Sequence, residues 1–230
     1  MNEDTWVVVR CFNESSVVGQ VIEGLRQHFP NVVGVDDGST DDSGAVMAAA
    51  GASVVRHSVN LGPGAALQTG LQYALLDPKA DYLLCFDADG QHRVDDAVSM
   101  MARMRKGDIE VLVGSRFLGA ADGMPRQRRL VLTVGRWFER LSSGIRLSDG
   151  HNGLRAFTRA FASQVDLTMS DMAYASELLA IIARSGVAYD EHPVTIDYTD
   201  YSLHKGQRSI NSVNIALDVW IHRLLRGRRR

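Results

Sequence analysis

The chain has 230 residues, of which 45% are apolar and 23% are charged, with a formal net charge of −2. This is the composition of a soluble globular protein, and its charge gives no argument for nucleic acid as a partner. No apolar run approaches the roughly 18 residues of a membrane span, and the polar start at Asn2 does not resemble a secretory signal. Cys11 and Cys85 each lie inside an apolar run, which indicates buried thiols rather than a disulfide. We therefore expect a cytoplasmic protein, with contact to a membrane surface left open.

The first half of the chain alternates short apolar runs with amphipathic stretches. Strands are predicted over residues 5–12, 31–35, 52–55, 82–86 and 109–113, with helices between them. Ser15 or Ser16 is expected to cap the first helix, which Pro30 ends. Strands that alternate with helices indicate βαβ units, so we predict an α/β fold with a mostly parallel central sheet flanked by helices.

The second half is less regular. Helices are predicted over residues 130–141, 176–185 and 207–225, and a strand over residues 194–198. We expect a single domain over residues 1–209, followed by an amphipathic helix with a basic tail over residues 210–230. Such a helix can lie on an anionic membrane surface or pack on the domain with its tail in solvent, and both alternatives remain open.

The densest polar cluster follows the strand predicted over residues 82–86, in the segment Asp87-Ala-Asp89-Gly-Gln91. Residues two apart in an extended segment point to the same side, so both carboxylates can converge beyond the carboxyl end of the strand. Open α/β sheets bind their ligands at that edge. Two carboxylates, with Gln91 as a neutral third donor, suit Mg²⁺ or Mn²⁺ with phosphate oxygens in the remaining positions. The alternative is an acidic loop that caps the helix beginning near Val94.

Two other polar segments follow predicted strands. Asp36 and Asp37 can accept hydrogen bonds from a base or from ribose hydroxyls, while Ser39 or Thr40 can equally supply a helix cap. The segment that begins at Asn60 lacks the Lys-Ser/Thr pair of a phosphate-binding loop. Its small residues predict close packing of the next helix on the sheet, and Asn60 remains a candidate ligand contact.

Arginines and one acidic loop complete the candidates. Arg116, Arg129 and Arg155 are candidates for binding phosphate, because a guanidinium binds phosphate oxygens in pairs, although surface solubility is the alternative. Asp149 begins a loop bracketed by glycines and can act as a general base or orient one. Such a loop is also a common turn.

In their order along the chain, these motifs resemble an inverting family-2 glycosyltransferase of the GT-A type. The resemblance covers residues 7–209 and is greatest to the dolichol-phosphate mannose synthase and polyprenyl-phosphate glycosyltransferase group. It implies a GT-A fold with a Rossmann-like sheet and a metal-dependent enzyme that transfers sugar from a nucleoside-diphosphate sugar to a polyprenyl phosphate. Transfer to a saccharide hydroxyl in cell-surface polysaccharide assembly and a non-catalytic sugar-nucleotide-binding module are the alternatives. A haloacid-dehalogenase-type phosphatase is disfavoured because Gln91 replaces the threonine of that motif.

The resemblance also implies roles for individual residues. The metal, Mg²⁺ or Mn²⁺, would be bound by Asp87, Asp89 and Gln91. The nucleotide-sugar would be contacted by Glu14, Asp36, Asp37, Asn60, Asp87 and Lys205. The acceptor phosphate would be bound by Arg116, Arg129 and Arg155. Catalysis would involve Asp89 and Asp149. If the acceptor is a hydroxyl, Asp149 is the candidate base and Glu177 is a weaker one.

The chain departs from this family in two places. Arg10 stands where the family usually has proline. Residues 204–209 resemble the mobile basic loop that closes over the diphosphate in this family, but Ile210 follows Ser209 where that loop usually ends in Ser-Lys. The hydrophobic C-terminal spans of many relatives are absent from this sequence. Peripheral contact with the inner face of the cell membrane and a separate membrane subunit are therefore the expected ways to reach a lipid acceptor.

Overall fold

In the computed structural model, the described residues are 2–122, 145–169 and 173–197. They form seven strands: β1 (Thr5–Cys11), β2 (Asn31–Asp36), β3 (Ser53–Arg56), β4 (Tyr82–Asp87), β5 (Val111–Asp122), β6 (Arg155–Thr158) and β7 (Tyr189–Asp197). The helices of the same segments are α1 (Val18–Arg26), α2 (Ser43–Ala49), α3 (Pro63–Leu75), α4 (Val94–Met104), α5 (Arg159–Ala162) and α6 (Ala173–Ser185).

All seven strands belong to one sheet in the order β3-β2-β1-β4-β6-β5-β7. β1 pairs in parallel with β2 and β4, β2 with β3, and β5 with β7, whereas β6 runs antiparallel to both β4 and β5. The prediction of a mostly parallel α/β sheet flanked by helices is therefore confirmed.

Two apolar cores cover the two faces of the sheet. α1, α2 and α4 pack on one face, against alternate strand residues such as Val7, Val9 and Phe86. α3, α5 and α6 pack on the other face, against Val8 and Leu83. Because successive strand residues point to opposite faces, every central strand is apolar almost throughout its length. Cys11 and Cys85 are buried and free, as predicted.

Several boundaries differ from those predicted. β6 was not predicted, because a strand of four residues that begins with the polar Arg155 gives no periodic signal. β5 continues well beyond residue 113, since a register shift between Ser115 and Ala120 lets it keep pairing with β7. β7 begins at Tyr189 rather than residue 194, and it tolerates Pro193 because it lies at the edge of the sheet.

The predicted serine and threonine caps are wrong. α1 begins after Val17 and α2 after Asp42, and neither helix has a side-chain cap hydrogen bond. The Ser15 N–H donates instead to Asp41, and the Ser39 N–H donates to Asp36. The first hydrogen bond joins the loops after β1 and β2, the second lies within the loop after β2, and neither caps a helix.

The helices predicted over residues 130–141 and 207–225 lie outside the described residues, as does the domain boundary at residues 209–210. Among the helices that the structure describes, none combines the length and the apolar character that crossing a membrane requires.

Candidate active site

The carboxyl ends of β1, β2 and β4 meet at one edge of the sheet. Strand register places Cys11 beside Asp36 and Arg10 beside Asp87. β6 runs in the opposite direction, so its first residue, Arg155, pairs with Cys85 near the same edge. The loops that follow three parallel strands and the loop that precedes the antiparallel one therefore converge.

The loops after β1 and β2 are held together by hydrogen bonds. The Asn13 N–H donates to Ser39 Oγ at 2.9 Å, the Thr40 N–H donates to Asn13 Oδ1 at 2.8 Å, and the Glu14 N–H donates to Ser43 Oγ at 2.8 Å. Asn13 has φ of 56°, in the left-handed region that asparagine tolerates better than most residues. These hydrogen bonds fix the position of Glu14 at the edge of the sheet where β2 ends with Asp36.

Asp36 is fully buried and has one open acceptor. Its Oδ1 accepts from the Ser39 N–H at 2.9 Å, and its Oδ2 lies 3.4 Å from Arg56 Nε. Oδ2 has no hydrogen-bond partner within the described part of the chain. A Cβ on Gly44 would lie 2.7 Å from this oxygen, so only a glycine lets α2 pack this closely against Asp36. The nucleoside contact of Asp36 stays a prediction.

Both carboxylate oxygens of Asp37 already contact other groups of the protein. Its Oδ1 accepts from the Leu61 N–H at 2.9 Å and lies 2.7 Å from His57 Nδ1, while its Oδ2 accepts from the Gly62 N–H at 2.8 Å. Asn60 is exposed, and its Oδ1 accepts from the same Gly62 N–H at 3.0 Å. Asp37 thus positions the loop that carries Asn60, and the nucleotide contacts of both residues stay predictions.

Asp87 and Asp89 lie close enough to perturb each other. Burial opposes ionisation of Asp87, but the positive charge of Arg10 and the contact with His92 hold its pKa well below the usual range. Burial and the negative charge of Asp87 raise the pKa of Asp89 above its usual value. Ala88, between them, is buried. Two carboxylates that repel each other at the end of one strand are a donor set that a divalent cation would stabilise.

The loop after the two carboxylates is fixed from both sides. The Gln91 N–H donates to Asp89 Oδ1 at 3.1 Å, and the Gln91 carbonyl accepts from the Asp197 N–H at 3.0 Å. His92 Nε2 lies 3.2 Å from Asp87 Oδ2, and its ring meets Phe86 edge-on. Among the described residues, no three or more His, Cys, Asp or Glu side chains group as metal ligands. A cation at Asp87 and Asp89 would therefore need neutral or substrate oxygens as well, which fits the predicted donor set.

Arg10 lies in the site, although in the sequence it stands out only as a departure from the family pattern. Its guanidinium pairs with Asp87 and donates to the Tyr174 hydroxyl, and it lies 5.2 Å from the centre of the Tyr174 ring. The sequence does indicate that Arg10 is unusual, because a charged residue in a valine-rich strand needs a polar partner near the end of that strand. Its partner could not be predicted without the strand order.

Asp149 is buried in an ion pair with Arg116. Its Oδ2 accepts from Arg116 Nε at 2.6 Å, from the Arg116 N–H at 3.1 Å and from Asn152 Nδ2 at 3.1 Å. Asp149 is 2% exposed. A carboxylate in this arrangement orients the guanidinium, whereas a general base needs an oxygen turned toward the acceptor.

Two further candidates, Arg155 and Glu177, are also buried and contact other groups of the protein. Arg155 is 1% exposed, donates to the Gly150 carbonyl at 2.8 Å and lies 5.8 Å from the Tyr174 ring centre. Buried Glu177 accepts from the Thr168 N–H and hydroxyl and from the Met169 N–H. Phosphate binding by Arg155 stays a prediction. Arg129 and Lys205 lie outside the described residues.

A parallel sheet with an acidic Asp-x-Asp tip beside a polar β2 edge is the architecture of a nucleotide-sugar-dependent glycosyltransferase of the GT-A type. The model of the family "Glycosyl transferase family 2" matches residues 6–165. The chain belongs to this family and is a glycosyltransferase, which confirms the predicted family and fold.

Relatives cover most of the chain. It is 31% identical over 218 residues to an uncharacterized protein of Methanocaldococcus jannaschii, covering 93% of this chain and 89% of the relative. It is 27% identical over 223 residues to the UDP-N-acetylglucosamine–dolichyl-phosphate N-acetylglucosaminyltransferase of Methanococcus voltae, covering 87% and 88%. The Mycobacterium tuberculosis glucosyl-3-phosphoglycerate synthase, crystallised with Mg²⁺ and UDP, superposes with a TM-score of 0.71 at 19% identity, covering 95% of this chain and 79% of the synthase.

Proposed function

We propose that this protein transfers a sugar from a nucleoside-diphosphate sugar to a polyprenyl phosphate, using Mg²⁺ or Mn²⁺. The M. voltae relative is named for a dolichyl-phosphate acceptor, and the M. tuberculosis neighbour was crystallised with Mg²⁺ and UDP. Both support the proposal by similarity.

The proposed binding site for the nucleoside-diphosphate sugar lies at the carboxyl ends of β2 and β4. Asp36 Oδ2 is a buried acceptor with no hydrogen-bond partner among the described residues, as a contact to a base N–H would require. Asp87 and Asp89 would hold the cation with Gln91 nearby. Bound there, a divalent cation would offset the charge that builds on the departing diphosphate.

One observation favours a phosphate acceptor over a sugar hydroxyl. A hydroxyl acceptor needs a carboxylate to remove its proton, and the two candidates named for that role were Asp149 and Glu177. Both are buried and accept hydrogen bonds from neighbouring protein groups. A polyprenyl phosphate is already anionic, so it needs positioning rather than deprotonation. The ion pair with Asp149 keeps Arg116 oriented for that task.

The test is transfer to lipid in vitro. Purified protein is incubated with Mn²⁺, a short-chain polyprenyl phosphate and, in turn, UDP-, GDP- and dTDP-sugars, and the organic extract is analysed by mass spectrometry. We expect a lipid-linked sugar from at least one donor, and its loss in Asp89→Ala. Asp95→Ala is the matched control, because Asp95 is an exposed carboxylate in the first turn of α4. No lipid-linked sugar from any of these donors, or equal product in Asp89→Ala, would refute the proposal.

We also propose that residues 210–230, which follow the catalytic domain of residues 1–209, bring the enzyme to the membrane surface. The support is the amphipathic spacing and the basic end of that segment. Flotation of the full chain on anionic liposomes, compared with a chain that ends at residue 209, tests this. Equal flotation of the two chains leaves a separate membrane subunit as the route to the lipid.

A further inference from the structure

Arg10 lies one residue before the end of β1, directly opposite Asp87 in the parallel register with β4. Its side chain is 10% exposed, and its two terminal guanidinium nitrogens contact Asp87 and the Tyr174 hydroxyl. Its Nε has no hydrogen-bond partner within the described part of the structure. A buried guanidinium held in this way is fixed at the metal-facing tip of β4.

Both oxygens of Asp87 are in contact with protein donors. Oδ1 pairs with Arg10, and Oδ2 lies 3.2 Å from His92 Nε2. An arginine keeps its charge at all ordinary pH values. A cation that approaches Asp87 therefore meets a carboxylate whose charge is already compensated, together with a fixed positive charge in contact with it.

Asp89 differs from Asp87 in this respect. Its contacts include the Gln91 N–H, and no arginine or lysine pairs with it among residues 2–122, 145–169 and 173–197. A cation arriving alone would gain mainly the attraction of Asp89 and would be repelled by Arg10. A diphosphate brings negative charge that offsets the guanidinium and supplies further oxygens for the cation.

We propose that Arg10 is an internal counter-cation for the Asp-x-Asp pair, which weakens cation binding in the free enzyme and so couples the cation to the diphosphate of the donor. Arg10 is a positioning residue and not a metal ligand. The inference rests on the proposed function, since it assigns Arg10 a role at that metal and donor site. By thermodynamic reciprocity, any factor by which the nucleotide tightens Mn²⁺ is also the factor by which Mn²⁺ tightens the nucleotide.

The experiment measures Mn²⁺ binding to the full chain from the electron paramagnetic resonance signal of free Mn²⁺, with Mn²⁺ alone and with UDP or GDP added. Arg10→Gln and Arg10→Met remove the charge with side chains of different shape. We expect both to bind Mn²⁺ alone at least about tenfold more tightly than wild type, and to show a correspondingly smaller effect of the nucleotide. Arg10→Lys keeps the charge and should stay within about threefold of wild type.

Arg105→Met is the matched control. Arg105 also pairs with an aspartate, Asp4, and lies 5.5 Å from the centre of the Tyr82 ring, but at the opposite end of β4. Its loss should leave Mn²⁺ affinity unchanged. Circular dichroism and thermal melts establish that each variant is folded before it is titrated.

Three results overturn the role of Arg10: neutral variants that bind Mn²⁺ alone no more tightly than wild type, an Arg105→Met variant that tightens as much as they do, or wild-type Mn²⁺ affinity that neither nucleotide raises beyond about threefold. The last result is decisive even where no neutral variant folds. If the neutral variants tighten Mn²⁺ but no sugar reaches lipid, the proposed acceptor is wrong and the role of Arg10 stands. If lipid product forms but Mn²⁺ affinity does not change, only the role of Arg10 is refuted.

Discussion

Asp149→Asn separates the two roles that the sequence left open for Asp149. A base that is made neutral loses catalysis and leaves stability unchanged, whereas a buried partner of Arg116 loses stability when its charge is removed. Asp149 is 2% exposed and the Arg116 side chain is 10% exposed, so little water can compensate for the lost charge. We therefore expect the positioning role, with a large effect on the free energy of unfolding.

The magnitude follows from the contacts. Removing one partner of a buried ion pair costs about 3–5 kcal/mol. Asparagine keeps one acceptor oxygen, which retains about 1 kcal/mol through one of the three hydrogen bonds that Asp149 Oδ2 accepts. The free energy of unfolding should therefore fall by about 2–4 kcal/mol. Urea unfolding followed by circular dichroism measures it, with m-values compared to exclude a change in the unfolded state.

A double-mutant cycle tests the same pair from the other side. Arg116→Met should destabilise the protein as well, and the double variant should be less unstable than the sum of the two changes, because each single change already breaks the pair. In steady-state assays Asp149→Asn should raise the KM for the lipid phosphate and leave the shape of the pH–rate profile unchanged. A variant within about 0.5 kcal/mol of wild type in stability, whose pH–rate profile has lost its acidic limb, would refute the positioning role and restore Asp149 as the base.

Other predictions concern single positions. Gly153→Ala should weaken Mn²⁺ binding at least about tenfold, because its Cβ would lie 1.8 Å from Asp87 Oδ2, whereas Gly24→Ala, whose methyl meets a valine at 3.4 Å, should have no effect in the same titration. Burial opposes ionisation of Asp41, but hydrogen bonds from Ser43 and Ser15 lower its pKa to about 2. Asp41→Asn should thus lower the melting temperature at pH 7, and the difference should shrink as the pH falls from about 5 toward 2; a difference that stays constant over this range would contradict the prediction. Burial raises the pKa values of the two cysteine thiols to about 11 and about 12, so neither should react with Ellman's reagent at pH 8 until urea unfolds the chain.

The fold was largely predictable because it depends on local pattern. Apolar runs separated by amphipathic stretches define βα units, and a parallel sheet places the ends of its strands at one edge. Position within the sheet does not follow from local pattern. β6 inserts between β4 and β5, although it is later in the chain than both, and four residues carry too little periodicity to predict that pairing.

The candidate site was predictable in its residue types but not in its pairings. The tip at Asp87 follows from one strand and two carboxylates. The partner of Asp149 is 33 residues away, and that of Asp87 is 77 residues away. Both pairs exist because the sheet brings their strands or loops together, and a single sequence does not determine which arginine meets which carboxylate.

The pairings give the four central site carboxylates different tasks. Three of them pair with arginines: Asp36 with Arg56, Asp87 with Arg10, and Asp149 with Arg116. Asp89 has no such pair within the described residues, and its raised pKa reflects the cost of its charge in a partly buried setting beside Asp87. A divalent cation lowers that cost most at Asp89, since the other three carboxylates already have a compensating charge. Asp89 is therefore the carboxylate at which removal of charge should affect cation binding most, and Asp87, the second proposed ligand, should affect it less.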